Sequence, residues 1–360
     1  MTGLGIKPSW DIFCKIVDNF GDIGICWRLA KQLQTEYGLQ VTLWIDDFSV
    51  ARKIITTLDT EKNWCLIDSI CIAKWDEYAD FNIAAEVVIE AFACTLPLTY
   101  LNAMQQKKSK WVNLEYLSAE LWVASFHGKP SPQNNGLIRY FFFPGFTETT
   151  GGLIRESNLL EFQKNANANK NLKISLFCYP HAPIFDLLTG LSTSKITIDC
   201  YVPASSILPK IANFFGRDSI NIGETLHNKS LNLHILPFLN QVDYDQLLYD
   251  SDLNFVRGED SLVRAIWAGN PFIWQPYLQE NNTHITKLHA FLSEFYADSD
   301  EKQLVYETHD YWSSANLPLS SILAYLNALP NIKNDTLQRT CLLSKQTDLA
   351  TKLVDFCNKI

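Results

Sequence analysis

Short apolar runs alternate along this chain with stretches in which apolar residues return at helical spacing, and the alternation occurs in both halves. Runs of the first kind read as buried strands and those of the second as helices, the pattern of repeated βαβ units. In the first half Ile12 to Val17, Gln40 to Ile45, Glu86 to Ala91 and Lys110 to Leu114 carry the strand pattern. Ile25, Leu29, Leu33 and Tyr37 recur at helical spacing until Gly38, which predicts a helix ending there. The aromatic run Tyr140-Phe-Phe-Phe-Pro-Gly-Phe closes this half.

A polar stretch from Thr147 to Lys170, containing Asn165-Ala-Asn-Ala-Asn-Lys-Asn, reads as a domain connection. A second series follows. Leu172 to Tyr179, Ile196 to Val202, Leu231 to Leu236, Leu253 to Val256 and Pro271 to Trp274 are predicted strands, with helices over Tyr244 to Tyr249 and Ser261 to Ala268. Leu337 to Phe356 has the periodicity of one more helix. The expected fold is α/β, with two Rossmann-like domains facing a cleft: residues 1–150, residues 170–335, and a C-terminal helix over 336–360. No G-x-G-x-x-G fingerprint is present, so the pattern favours a nucleotide-sugar enzyme of the glycosyltransferase B type over a dinucleotide dehydrogenase.

Composition narrows the class. At 360 residues the chain exceeds what one core usually covers, and 47% hydrophobic with 19% charged residues supports ordinary globular packing. A net charge of -9 argues against a nucleic-acid backbone as the main ligand. No leader pattern or long apolar run occurs, so neither secretion nor a membrane partner is expected and the cytoplasm is the expected location. Nine cysteines without C-x-x-C spacing read as reduced core residues, and seven histidines offer no H-E-x-x-H pair, so no metal is assigned.

Two segments carry chemistry. After the first predicted strand come Asp18 and Asp22, set among glycines, where a sheet of this kind builds its site. For either acid alone, a turn or a helix cap is an even alternative. In Phe255-Val-Arg-Gly-Glu-Asp-Ser, a strand runs into a helix start near Glu259, Asp260 and Ser261. Free N–H groups there, with Arg257 and a hydroxyl alongside, suit a diphosphate. Capping by Asp260 or Ser261 accounts for one acid and leaves the other unexplained. Phe238 can stack on a base, Gln241 can hydrogen-bond base or ribose, and Phe177 and Tyr179 end the first strand of the second half; taken singly, each aromatic also fits strand-end packing.

The segments Trp10-Asp-Ile-Phe-Cys through Asp18-Asn-Phe-Gly-Asp-Ile-Gly, Asn113-Leu-Glu-Tyr-Leu-Ser-Ala-Glu, Phe141-Phe-Phe-Pro-Gly-Phe and Asn254-Phe-Val-Arg-Gly-Glu-Asp-Ser resemble the EarP family of bacterial protein-arginine rhamnosyltransferases, in order along nearly the whole chain. Phe20 departs from the tyrosine expected there. The resemblance implies a metal-independent, inverting transfer of L-rhamnose from dTDP-β-L-rhamnose to an arginine of elongation factor P, with no further cofactor. It makes the N-terminal domain the acceptor side, with Asp18 and Asp22 as its carboxylates and Asp22 preferred as base. Glu259 becomes the critical acid of the donor side, and Phe177, Tyr179, Phe238, Gln241, Arg257, Asp260 and Ser261 hold dTDP. The alternatives are a related enzyme with another nucleotide sugar or acceptor, and a non-catalytic module that binds elongation factor P.

Overall fold

The structure, a computed structural model, describes residues 8–17, 20–159 and 171–360. The chain divides into two units, Met1–Leu159 with Gln346–Ile360, and Leu160–Lys345.

In the first unit, β1 (Ser9–Cys14) leads through α1 (Gly21–Tyr37) to β2 (Gln40–Ile45), then α2 (Phe48–Ile54) and the hairpin β3 (Trp64–Ile67) and β4 (Ile70–Lys74). There follow β5 (Val87–Ala91), α3 (Leu98–Lys107), β6 (Lys110–Leu114), α4 (Val123–Phe126), β7 (Pro130–Pro132) and β8 (Ile138–Phe142). The sheet order is β3-β4-β2-β1-β5-β6-β8-β7, parallel except for the outermost pairs. Strands covered on both faces are continuously apolar. Ile12, Phe13 and Cys14 are fully buried, and Phe13 packs against Tyr100 at 4.5 Å and Trp75 at 5.3 Å between ring centroids. After β1 the strand order runs one way to β2 and later the other way to β5, which makes the β1/β5 boundary the switch point where ligands of such sheets collect. Gly38, at φ 64°, ends α1 in the left-handed conformation, with Gly38 N–H donating to Gln34 O and Leu39 N–H to Leu33 O.

In the second unit the elements are β9 (Leu172–Leu176), α5 (Ile184–Ser192), β10 (Ile198–Pro203), α6 (Leu208–Phe214), β11 (Thr225–Asn228), β12 (Leu231–Leu236), α7 (Gln241–Asp250), β13 (Leu253–Arg257), α8 (Gly258–Ala268), β14 (Phe272–Gln275), α9 (Thr283–Phe295), α10 (Lys302–Ser313) and α11 (Leu319–Ser344). The order β11-β12-β10-β9-β13-β14 is parallel except at β11, and its switch point lies between β9 and β13. A buried two-point ion pair, Arg264 Nε to Asp245 Oδ1 at 3.0 Å and Nη2 to Oδ2 at 2.7 Å, clamps α8 to α7.

The expected single helix over 336–360 is replaced by two elements in different units. Residues up to Ser344 end α11, and α12 (Leu349–Lys359) returns to the first unit. The polar stretch Lys345-Gln-Thr-Asp348 interrupts the apolar period, and Asp348 caps a new helix by accepting Thr351 N–H at 3.1 Å. Anchors to the first unit hold it there: Lys110 Nζ donates to Cys357 O at 2.6 Å, and Tyr37 and Thr351 share a hydroxyl–hydroxyl bond at 2.5 Å. The first unit accordingly runs to Leu159 rather than 150 and regains the last residues, while the second extends to Lys345 rather than 335.

Candidate functional site

In the first unit Asp22 stands in the first turn of α1, with only 2% of its surface exposed. Its Oδ2 accepts Val17 N–H at 2.8 Å, and Ile16 N–H turns to Asp46 Oδ1 at 3.0 Å. Two carboxylates thus take the backbone N–H groups of Ile16 and Val17, just after the strand ends. Asp22 also faces β1: the Cys14 thiol is pushed far up by its hydrogen bond with Cys26, by burial, and by the negative charge of Asp22. Phe20, at the N-cap of α1, makes no side-chain cap, and the buried Asp22 carboxylate in the first turn compensates the positive end of the helix. Asp18 lies outside the described residues.

The second unit gathers most of the other predicted residues around the ends of β9 and β13. Leu176 pairs with Phe255 in the sheet, so Phe177 and Tyr179 emerge beside Arg257. The Arg257 guanidinium lies 4.3 Å from the Phe177 ring centroid and 4.7 Å from that of Tyr179, and Nη1 donates to Cys178 O at 3.3 Å. Tyr179 is buried, stacked on His181 with its N–H held by Gln275 Oε1 at 2.8 Å. Burial lowers the His181 pKa, with His284 and Lys210 adding to the shift, so this imidazole favours the neutral form.

Gly258 begins α8 at φ 63°, a conformation that admits glycine at little cost, and its carbonyl accepts Trp274 Nε1 at 2.7 Å. The Ser261 hydroxyl is committed locally, accepting Arg257 N–H at 3.0 Å and donating to Arg257 O. Glu259, in the first turn of α8, is paired with Lys287 Nζ at 2.5 Å, with both side chains largely buried. A lone carboxylate beside these N–H groups would repel a diphosphate; the lysine offsets that charge. Asp260 is half-buried in the same turn.

Gln241 opens α7, buried, and Phe238 is half-buried in the loop before it. Tyr244, one turn after Gln241, meets Phe177 edge-on at 5.5 Å, which brings the start of α7 to the end of β9. Burial raises the Tyr244 phenol pKa, and its electrostatic neighbours include Asp260 and Arg257.

Sequence reasoning missed Tyr244, Gln275 and Lys287. Tyr244 reads as an ordinary helical position, Gln275 ends a strand 96 residues from its partner Tyr179, and Lys287 arrives from α9 with no local signal. Among the described residues no group of three or more His, Cys, Asp or Glu side chains is placed to hold a metal, and no helix is long and apolar enough to cross a membrane.

The family model described as Elongation-Factor P (EF-P) rhamnosyltransferase EarP matches residues 10–358. The chain belongs to the EarP family. It is 38% identical to the protein-arginine rhamnosyltransferase of Pseudomonas putida over 376 aligned residues, covering 98% of this chain and 99% of the relative. With that of Pseudomonas aeruginosa it shares 39% identity over 370 residues, 97% of this chain and 98% of the relative. A solved structure addressing EarP-mediated arginine glycosylation of translation elongation factor EF-P aligns with a TM-score of 0.69 at 29% identity, over 98% of this chain and 99% of that one. This EarP-family chain is therefore a protein-arginine rhamnosyltransferase with the two-domain α/β fold of the glycosyltransferase B type.

Proposed function

We propose that the chain transfers L-rhamnose, with inversion, from dTDP-β-L-rhamnose to one arginine of elongation factor P in the cytoplasm, without a metal or further cofactor. The observation that carries this reading is the buried, oriented Asp22 at the end of β1 in a chain matched by the family model over residues 10–358. Arginine stays protonated in proteins and its lone pairs are delocalised, so its nitrogen attacks a sugar only when a carboxylate orients it and removes a proton as the bond forms. Asp22 supplies that carboxylate, and the Val17 N–H fixes its orientation. The new bond joins the guanidinium nitrogen to the anomeric carbon, the bond from that carbon to the diphosphate oxygen breaks, and dTDP leaves with the electron pair.

The second unit receives the leaving group. The N–H groups at the start of α8 and the Arg257 guanidinium stabilise the diphosphate, with Asp260 and Ser261 shaping that turn. Phe238 stacks on thymine, Gln241 and Tyr179 hold the nucleoside and phosphates, and Phe177 braces Arg257. Glu259, neutralised by Lys287, accepts a sugar hydroxyl. Incubating the purified protein with elongation factor P and dTDP-β-L-rhamnose should raise the acceptor mass by one deoxyhexose on an arginine. An unmodified acceptor would refute the reading, and UDP-glucose in place of the donor tests nucleotide-sugar selectivity.

A further inference from the structure

Phe92 and Ala93, directly after β5, both adopt positive φ, 58° and 55°. Two consecutive non-glycine residues in the left-handed region cost roughly 1–2 kcal/mol each and persist only where their surroundings fix them. Here they are fixed from three sides. Phe92 N–H donates to Leu114 O at 2.7 Å, Ala93 N–H to Asn113 Oδ1 at 3.1 Å, and Cys94 Sγ to Phe13 O at 3.4 Å. The last bond ties the loop to β1, the strand that leads to Asp22.

The strain sets the Phe92 ring flat against Tyr116, with centroids 4.5 Å apart and planes 16° from parallel, while both rings stay half-buried. Asn113, only 1% exposed, also donates through its Nδ2 to Glu115 Oε1 at 2.5 Å. One buried carboxamide thus orients both the strained loop and a carboxylate beside the aromatic pair. Because β1, β5 and β6 are neighbours in the sheet and strands lie about 4.8 Å apart, these side chains leave the sheet on the order of 5–10 Å from the end of β1.

We propose that Glu115, Phe92 and Tyr116 form the cradle that receives the acceptor guanidinium, which rests on the transfer to elongation factor P set out above. A carboxylate accepts the planar N–H fork of arginine, and aromatic rings attract its delocalised charge. The same set would repel a diphosphate, so it belongs to the acceptor and not to the donor. This gives a role to Asn113-Leu-Glu-Tyr, a segment that neither the base nor the donor pocket uses.

The test compares the parent with Glu115→Gln and Tyr116→Leu. Glutamine keeps an oxygen for Asn113 Nδ2 and removes only the charge. Initial rates against elongation factor P concentration, at saturating dTDP-β-L-rhamnose, should show the acceptor KM raised about five- to thirty-fold in each variant, the size of a lost partly desolvated cation–π or charge contact. dTDP affinity and thermal midpoint should stay at parental values. Calorimetric binding of elongation factor P without donor makes the same comparison independently of turnover, so a parent that binds but does not transfer would overturn the enzymatic reading alone. Parental acceptor KM and affinity in both variants, or a matching loss of dTDP affinity or thermal stability, would overturn the cradle.

Discussion

Replacing Asp22 by asparagine separates the carboxylate's chemistry from its part in the architecture. Asparagine has nearly the same shape and keeps an oxygen for Val17 N–H, which now lies 2.8 Å from Oδ2. The variant loses a favourable charge in the first turn of α1, worth about 0.3–1 kcal/mol and up to ~2 when partly buried, and its hydrogen bond becomes a weaker neutral one. Against that, a buried amide is cheaper to desolvate than a carboxylate. The opposing terms leave a net destabilisation on the order of 1 kcal/mol, or about 2–4 °C in melting temperature for a unit of this size. The chemical step, deprived of its proton acceptor, should slow by about 10²–10⁴-fold. Single-turnover mass spectrometry of elongation factor P at saturating donor measures the rate, while calorimetry with dTDP and a thermal melt monitor binding and stability. A rate within fivefold of the parent would refute the base assignment; a collapse in melting temperature would mean that Asp22 acts through the fold.

Phe238→Ala should weaken dTDP binding by about 1–3 kcal/mol, judged by base–aromatic stacks in nucleic-acid binders, and parental affinity would place the base elsewhere. Arg264→Ala leaves the buried Asp245 carboxylate without its two-point partner. A loss of about 3–5 kcal/mol is expected, or roughly 6–20 °C in melting temperature, read by calorimetry or circular dichroism; a shift under about 3 °C would refute it. His127 and His309 are each pushed by burial from 6.5 to about 4. The unfolded chain therefore binds protons first as pH falls: the stability these groups contribute is complete above pH 6.5 and declines toward pH 4, by up to about 3 kcal/mol for the fully buried His309 and by less for the half-buried His127, where solvent screens the charge. Asp11 and Glu90, raised by burial, act with the opposite sign. The test is thus the difference between parent and His127→Asn, in which the amide oxygen can replace Nδ1 as acceptor for Phe143 N–H; the variant should show a flatter melting profile between pH 7 and 4.5, and superimposable profiles would refute the assignment.

The central strands were legible because burial on both faces writes itself as a continuous apolar run. β2, β6 and β12 have the spans read from sequence, Gln40–Ile45, Lys110–Leu114 and Leu231–Leu236. β1 is displaced, Ser9–Cys14 instead of Ile12 to Val17, for two nonlocal reasons. It starts early because Asp11 is satisfied by the Tyr100 hydroxyl at 2.5 Å, and it ends early because Asp46 and Asp22 take the N–H groups of Ile16 and Val17. The β3–β4 hairpin escaped notice since Trp64 and Leu66 are 63% and 68% exposed, so apolarity there does not mark burial. In the candidate site, the motif around Arg257 to Ser261 carries its own signal. Lys287 and Gln275 come from elements that only folding brings to it.

The return of α12 has a consequence for how the protein is made. On the ribosome the stretch up to Leu159 emerges before the second unit, yet Leu349, Ala350, Leu353 and Cys357, all buried in the finished molecule, follow only after the whole of that unit. The second unit is one uninterrupted stretch of chain and can close its core while the first still waits for its final helix. Maturation thus runs against the direction of synthesis. For that interval the nascent first unit carries Tyr140 and Phe142 without the Phe356 ring that later packs on both.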